Sequence, residues 1–117
     1  MAAPALALTA AGKIEALAKL EPGRWQLKDS GGATVRSVCL GDPTALLTVE
    51  HEDAVCGSEL ISTDETGGTV QYTCPGHGFG HSSVRVETAR LARIDTQGVL
   101  DGRPFAYRAE ARKIGPC

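Results

Sequence analysis

The sequence has few aromatic residues, with only one Trp, two Tyr and two Phe among 117 positions. Aromatic side chains bury large areas each, so a chain with so few of them has a thin hydrophobic core. A chain of this length forms one domain and is too short for a cofactor domain beside a substrate domain. We predict a single domain over residues 1–117, with an amino-terminal segment (1–22), a main part (23–117) and a source of stability besides apolar burial.

An excess of positive charge is also missing. Twelve basic and fourteen acidic residues are mixed along the chain and give a formal net charge of −2, whereas a nucleic-acid-binding surface concentrates Lys and Arg. Arg85, Arg90 and Arg93 come closest to such a cluster, but Glu87 and Asp95 lie among them. This mixture is typical of a solvated strand face, which we favour over an anion-binding strip, and we predict no nucleic-acid partner.

The chain lacks long apolar runs and the common catalytic motifs. No run approaches the roughly 20 apolar residues of a membrane-spanning helix, so we predict no transmembrane segment. It contains no Gly-x-Ser-x-Gly elbow, His-Glu-x-x-His helix, Walker loop or dinucleotide-binding glycine motif. Glu87 and Glu110 are candidates for an acid and base on paired strands, yet ion pairs with neighbouring arginines explain them more simply. We predict a protein that is not an enzyme and uses no cofactor.

The amino-terminal stretch "MAAPALALTAAG" is small and apolar, and it does not have the positively charged start of a signal peptide. We interpret it as a mature amino terminus from which the signal peptide is absent, with Met1 added for expression. A helix is predicted from Thr9 to Leu20, because Ile14, Leu17 and Leu20 fall on one helical face before the Glu21-Pro22-Gly23 stop.

Four cysteines are the expected further source of stability. An even number of cysteines in a small Gly-rich chain is typical of disulfide bonds, and it indicates a periplasmic or secreted location. Four cysteines allow three pairings, and we favour the sequential one without excluding the others. The favoured bonds are Cys39–Cys56 and Cys74–Cys117. A short helix is predicted inside the Cys39–Cys56 loop, where Asp42 caps the segment "DPTALL".

Alternating apolar positions predict a protein made mainly of strands. Val70, Tyr72 and Cys74 share one face of the clearest strand, and a long carboxy-terminal strand begins at Phe105. Leu91 falls out of phase with the alternation that starts at Val84, which predicts a β-bulge near Thr88 to Arg90. Turns are predicted at 29–32, 65–68, 97–98 and 101–102. We predict an antiparallel meander of about six strands, strongly twisted or half-closed into a barrel, with the amino-terminal helix packed on it.

Three places in the chain carry a resemblance to a known family: "EPGRW" before the first strand, the spaced cysteines, and the closing "ARKIGPC". Over residues 23–117 they resemble domain-of-unknown-function family 3617. The resemblance implies a small exported protein of Gram-negative bacteria, often made with a signal peptide or a lipid anchor. It implies no established activity.

The stretch "CPGHGFGH", from Cys74 to His81, has three interpretations, one of which is a weak metal site made of histidines alone. Its C-x2-H-x3-H spacing permits a zinc site made of Cys74, His77 and His81, with His51 as a further or alternative ligand. The favoured interpretation is a glycine-rich turn with two exposed histidines, in which Cys74 belongs to a disulfide bond.

The sequence therefore favours a non-enzymatic binding module of the periplasm or cell envelope. We expect one face of the sheet, or the cavity within its curve, to receive an apolar small molecule or an envelope protein. The lone Trp25 is interpreted as the largest side chain of the core and not as a ligand platform. The rival hypothesis is a metal-binding protein or metal-dependent enzyme that uses His77 and His81.

Overall fold

The structure, a computed structural model, describes residues 13–117. Seven antiparallel strands form one open sheet in the order β2-β1-β7-β6-β5-β4-β3, which confirms the mainly β prediction with one strand more than expected. Two short 3₁₀ helices, η1 and η2, pack on one face of this sheet. The elements are η1 (Glu15–Lys19), β1 (Gly23–Asp29), β2 (Thr34–Leu40), η2 (Pro43–His51), β3 (Gly57–Thr63), β4 (Gly67–Cys74), β5 (Gly78–Thr88), β6 (Leu91–Leu100) and β7 (Arg103–Gly115).

The additional strand arises where a β-bulge was expected. The chain reverses at Ala89 and Arg90, so that β5 and β6 form a hairpin; a register shift remains just before it, between Val86 and Thr88. This turn contains no Gly, Asn or Pro. One local hydrogen bond, from Arg90 N–H to Thr88 Oγ1, supports it together with two tertiary ones: Glu21 N–H donates to Ala89 O, and the N–H of Lys113 donates to Arg90 O. Such distant partners leave no local signature. The predicted turn at 97–98 was also wrong, since both residues lie within β6.

The strand order explains how the two ends of the domain meet. β1 pairs with β2 on one side and with β7 on the other, so the amino-terminal hairpin is added to the far end of the meander formed by β3 to β7. The chain then has to travel from β2, at one edge, to β3, at the other. η2 makes this connection across one face of the sheet.

The two helices cover the sheet as the apolar pattern predicts. Ile14, Leu17 and Leu20 are buried around η1, while residues 9–12 of the predicted helix lie outside the described residues. In η2, the Asp42 carboxylate accepts a hydrogen bond from Thr44 N–H at 3.0 Å, which satisfies a free donor of the first turn. The predicted second helix is therefore confirmed, in 3₁₀ form and longer than "DPTALL".

The core lies between this face of the sheet and the two helices. Trp25 is completely buried, and its indole N–H donates to Glu21 O at 2.9 Å, which confirms its interpretation as a core residue. Within residues 13–117, no helix has the length and apolar character needed to cross a membrane. The core residues are Ile14, Ala16, Leu17, Leu20, Trp25, Leu27, Val38, Leu40, Leu46, Leu47, Val49, Val70, Val84, Ala92, Ile94, Ala109 and Ala111.

Two disulfide bonds are present, but the sequential pairing favoured from the sequence was wrong. The bonds are Cys39–Cys117 and Cys56–Cys74. Strand order gives the reason: Arg24 pairs with Cys39 on one side and with Gly115 on the other, so the chain after Gly115 runs beside Cys39. Cys56 and Cys74 flank the β3–β4 hairpin, next to the Gly57–Thr73 pair.

Candidate functional site

The residues of "CPGHGFGH" are separated by the fold. Cys74 is bonded to Cys56 and has no free thiol to offer. His77 lies exposed in the β4–β5 turn, where its Nδ1 is 3.1 Å from Asp101 Oδ1, and His81 lies on β5 facing away from the helices. Among residues 13–117, no group of three or more His, Cys, Asp or Glu side chains is placed to hold a metal ion. The fold therefore does not bring Cys74, His77 and His81 together as metal ligands.

His51, the further ligand considered, is buried on the opposite side of the sheet. Its Nε2 lies 3.2 Å from His77 O and 3.0 Å from Val99 O, and its Nδ1 lies 2.9 Å from the Tyr72 hydroxyl. Carbonyl oxygens only accept, so the network assigns the proton to Nε2 and leaves Nδ1 to accept from Tyr72. Both ring nitrogens are occupied, and the ring joins η2 to β4, β6 and the β4–β5 turn.

A second polar contact beneath η2 involves Glu50. Its carboxylate accepts a hydrogen bond from the Tyr107 hydroxyl at 2.7 Å and lies 3.4 Å from an Arg36 nitrogen. Burial, followed by this hydrogen bond, raises the pKa of Tyr107 far above its usual value. Burial and the charge of Glu50 likewise raise the pKa of Tyr72 to about 12. These phenols stay protonated and serve as hydrogen-bond donors that hold η2 on the sheet.

The other face of the sheet, which we call the open face, carries no helix formed by residues 13–117. Its side chains alternate with the buried ones along each strand: Phe79, His81, Ser83 and Arg85 point there from β5, between the buried Gly80, Ser82 and Val84. The register places these side chains in cross-strand rows. The rows are Thr73–Phe79–Val99–Pro104, then Gln71–His81–Gln97–Ala106, then Thr69–Ser83–Asp95–Arg108, and finally Arg85–Arg93–Glu110–Lys28.

Three depressions follow these rows along the open face. Their volumes are about 490 Å³ around Phe79, 320 Å³ around His81 and 720 Å³ around Arg93. Neighbouring depressions share lining residues, namely His81 and Gln97 at one junction and Ser83, Asp95 and Arg108 at the other. They therefore adjoin one another along the open face, and we call the three together the trough.

The polarity of the trough changes from one end to the other. Phe79, 48% exposed, lies at the apolar end. In the middle, Arg108 pairs with Asp95 at 3.1 Å. At the far end, Arg93 lies between two carboxylates, Glu87 at 3.3 Å and Glu110 at 3.8 Å. The two glutamates considered as an acid and base are thus held in ion pairs with arginine.

Two cations at the same end are not held in close ion pairs within residues 13–117. Among residues 13–117, neither Lys28 nor Arg85 has a carboxylate oxygen within 4.0 Å. Arg85 acts at longer range on Asp64, whose pKa is lowered chiefly by hydrogen bonds from Thr66 and also by Arg85. The Asp64 carboxylate is itself occupied by the backbone N–H groups of Thr66 and Gly67.

The sequence did not show the trough, because the residues of one row lie up to 82 positions apart in the chain, as Lys28 and Glu110 do. Only a known register brings them together. Comparisons of the chain with protein-family models, curated proteins and solved structures gave no match. The resemblance to family 3617 stays a prediction.

Proposed function

We propose that the protein is an exported, non-enzymatic binding module that receives a small apolar or amphipathic molecule in the trough. The observation that carries the proposal is the apolar end of the trough. There, a half-exposed Phe79 stands beside Val99 and Pro104 on three adjacent strands. An aromatic ring left in water offers a ligand both apolar area and a flat surface to pack against.

The size of the trough supports a small-molecule ligand. Pockets for small ligands usually enclose about 300–1,000 Å³, and the depression around Phe79 has a volume of about 490 Å³. Its wall includes Ala106 from β7, together with Gln71 and Gln97, which supply hydrogen-bonding groups. The Phe105 ring lies on the other face of the sheet, against His51. This combination of an apolar floor and a few polar groups matches the composition of known ligand pockets.

The position of the trough supports binding without large rearrangement. Its floor consists of β5, β6 and β7, which are paired along nearly their full lengths in the middle of the sheet. The backbone of paired strands loses little freedom when a ligand binds, and this lowers the entropic cost of association. The two disulfide bonds further support an exported protein, because such bonds persist in oxidising compartments.

Pairing within the trough supports binding in preference to catalysis. Asp95 is held by Arg108, and the Thr69 and Ser83 hydroxyls lie 2.8 Å apart in a hydrogen bond. Groups that satisfy one another in this way form a fixed polar lining, whereas a catalytic base or nucleophile needs a neighbour that activates it.

The proposal is tested with N-phenylnaphthylamine, an uncharged aromatic probe whose fluorescence rises in apolar surroundings. We expect the wild-type protein to bind the probe and the Phe79→Ala variant to bind it at least fivefold more weakly. Ile61→Ala is the matched control, because Ile61 is also half exposed, at 54%, but lies on edge strand β3 outside the trough. A wild-type protein that does not bind, or equal losses in both variants, would contradict the proposal.

A further inference from the structure

We infer that the ligand is a single-chain amphiphile with an anionic head group, carboxylate or phosphate, whose tail lies on Phe79 and whose head lies between Arg85 and Lys28. The inference rests on the proposed function and adds the chemistry and the direction of the bound molecule. It is carried by the ordered change in polarity along the trough, which the register of five strands produces.

The length of the trough fits an extended chain. Phe79 and Arg85 lie six positions apart on β5, and a strand rises about 3.3 Å per residue, so the two ends are about 20 Å apart. Between them, the row of His81 and Gln97 is neutral and polar, and the row of Asp95 and Arg108 holds an ion pair. An amphiphile that lies along β5 would meet apolar, then polar, then charged surroundings in that order.

The charges at the far end favour an anion over a cation. Lys28 and Arg85 lack a close carboxylate among the described residues. The carboxylates that line this end already have partners: Asp95 pairs with Arg108, Glu110 pairs with Arg93 and Arg112, and Asp29 accepts from the backbone N–H groups of Gly31 and Ala33. An arriving anion meets two available donors, but an arriving cation would have to compete with the existing partner of each carboxylate. Guanidinium groups also match carboxylate and phosphate oxygens in geometry.

The end of the trough that carries Arg85 and Lys28 differs in charge from the protein as a whole. The formal net charge is −2, so the overall field repels anions, and any preference for them has to come from local groups. Lys28 and Glu110 are cross-strand partners on β1 and β7, and Arg93 and Arg85 continue the same row on β6 and β5. Three cations and one carboxylate therefore lie side by side across four strands.

The inference is tested by displacement of N-phenylnaphthylamine with three amphiphiles of equal chain length at low salt: dodecanoate, dodecyl phosphate and dodecyltrimethylammonium, each below its micelle concentration. We expect the wild-type protein to bind at least one of the two anions tenfold or more tightly than the cation. The two anions together also show which head group the site prefers. In the Lys28→Gln/Arg85→Gln variant, the preference for anions should fall below twofold.

The control variant is Arg24→Gln/Arg103→Gln, which changes the net charge by the same amount at two positions outside the trough, and it should keep the tenfold preference. Equal binding of anions and cation by the wild type, or loss of the preference in the control, would overturn the inference and leave the proposed function standing. Failure of the wild type to bind the uncharged probe would overturn both.

Discussion

Removal of the Cys39–Cys117 bond should destabilise the domain more than removal of the Cys56–Cys74 bond. A disulfide bond restricts the unfolded chain, and the loop-entropy relation makes the restriction greater for a longer loop. The two bonds join residues 78 and 18 positions apart. At 25 °C the relation gives contributions of about 4.5 and 3.2 kcal/mol to the free energy of unfolding. Each contribution is a large part of the free energy of unfolding of a typical domain, which is about 5–15 kcal/mol.

Two double variants separate the contributions of the two bonds, because each variant keeps one bond intact. Cys39→Ala/Cys117→Ala retains only the shorter bond, and Cys56→Ala/Cys74→Ala retains only the longer one. Urea unfolding of each variant, oxidised and then reduced, gives the contribution of the remaining bond as a difference within one sequence. This design matters because Cys74 is fully buried, so its substitution alone adds a packing cost. A larger contribution from the shorter bond would refute the loop-entropy reasoning.

The pairing itself is open to direct mapping. Trypsin leaves Cys39, Cys56 and Cys74 on one peptide, because residues 37–84 contain no Lys or Arg. Added cleavage after glutamate separates the three cysteines, since glutamates stand at 50, 52, 59 and 65. We expect peptide 37–50 linked to 114–117, and 53–59 linked to 66–85. A link between peptides 37–50 and 53–59 would contradict the structure.

Three further predictions concern the core and are checked by urea unfolding. Trp25→Ala should lower the free energy of unfolding by about 3–5 kcal/mol, since the indole is fully buried; a loss under 1 kcal/mol would refute its core role. Tyr72→Phe should cost about 1–3 kcal/mol at pH 7, because His51 Nδ1 loses its donor. Wild-type stability should also fall as pH rises from 10 towards 12, since unfolded tyrosine ionises near 10.0 and folded Tyr72 only at about 12; the Phe variant should lose that part of the pH dependence. Gly80→Ala should destabilise, because a Cβ there collides with the Tyr72 ring, whereas Gly41→Ala, with open space around it, should be close to neutral.

Local periodicity predicted the strands where the apolar pattern was regular. Val70, Tyr72 and Cys74 alternate without interruption and are all buried in β4. Prediction failed at Ala89 and Arg90, where the turn depends on hydrogen bonds from Glu21 and Lys113. The local pattern could show that the alternation broke there, and it could not show that the chain reversed.

The candidate site shows the same limit more strongly. Spacing along the chain directed attention to Cys74, His77 and His81, but the fold places them in a disulfide bond, an exposed turn and the open face. The trough depends instead on register, which pairs Arg85 with Arg93 and Lys28 with Glu110. Strand order likewise decides the disulfide pairing. Both properties come from long-range pairing that no segment of the sequence specifies alone.

The two disulfide bonds are nested, since Cys56–Cys74 lies within the Cys39–Cys117 loop. This arrangement restricts the order in which the bonds can form when the chain folds from its amino end. Cys39 and Cys56 are the first two thiols made, and neither is the native partner of the other. Oxidation in order of synthesis would join them and hold β2 against the start of β3, although the finished sheet has these strands at opposite edges. Correct assembly requires Cys39 to stay reduced, or to be released by thiol exchange, until β7 has docked on β1 and brought Cys117 with it.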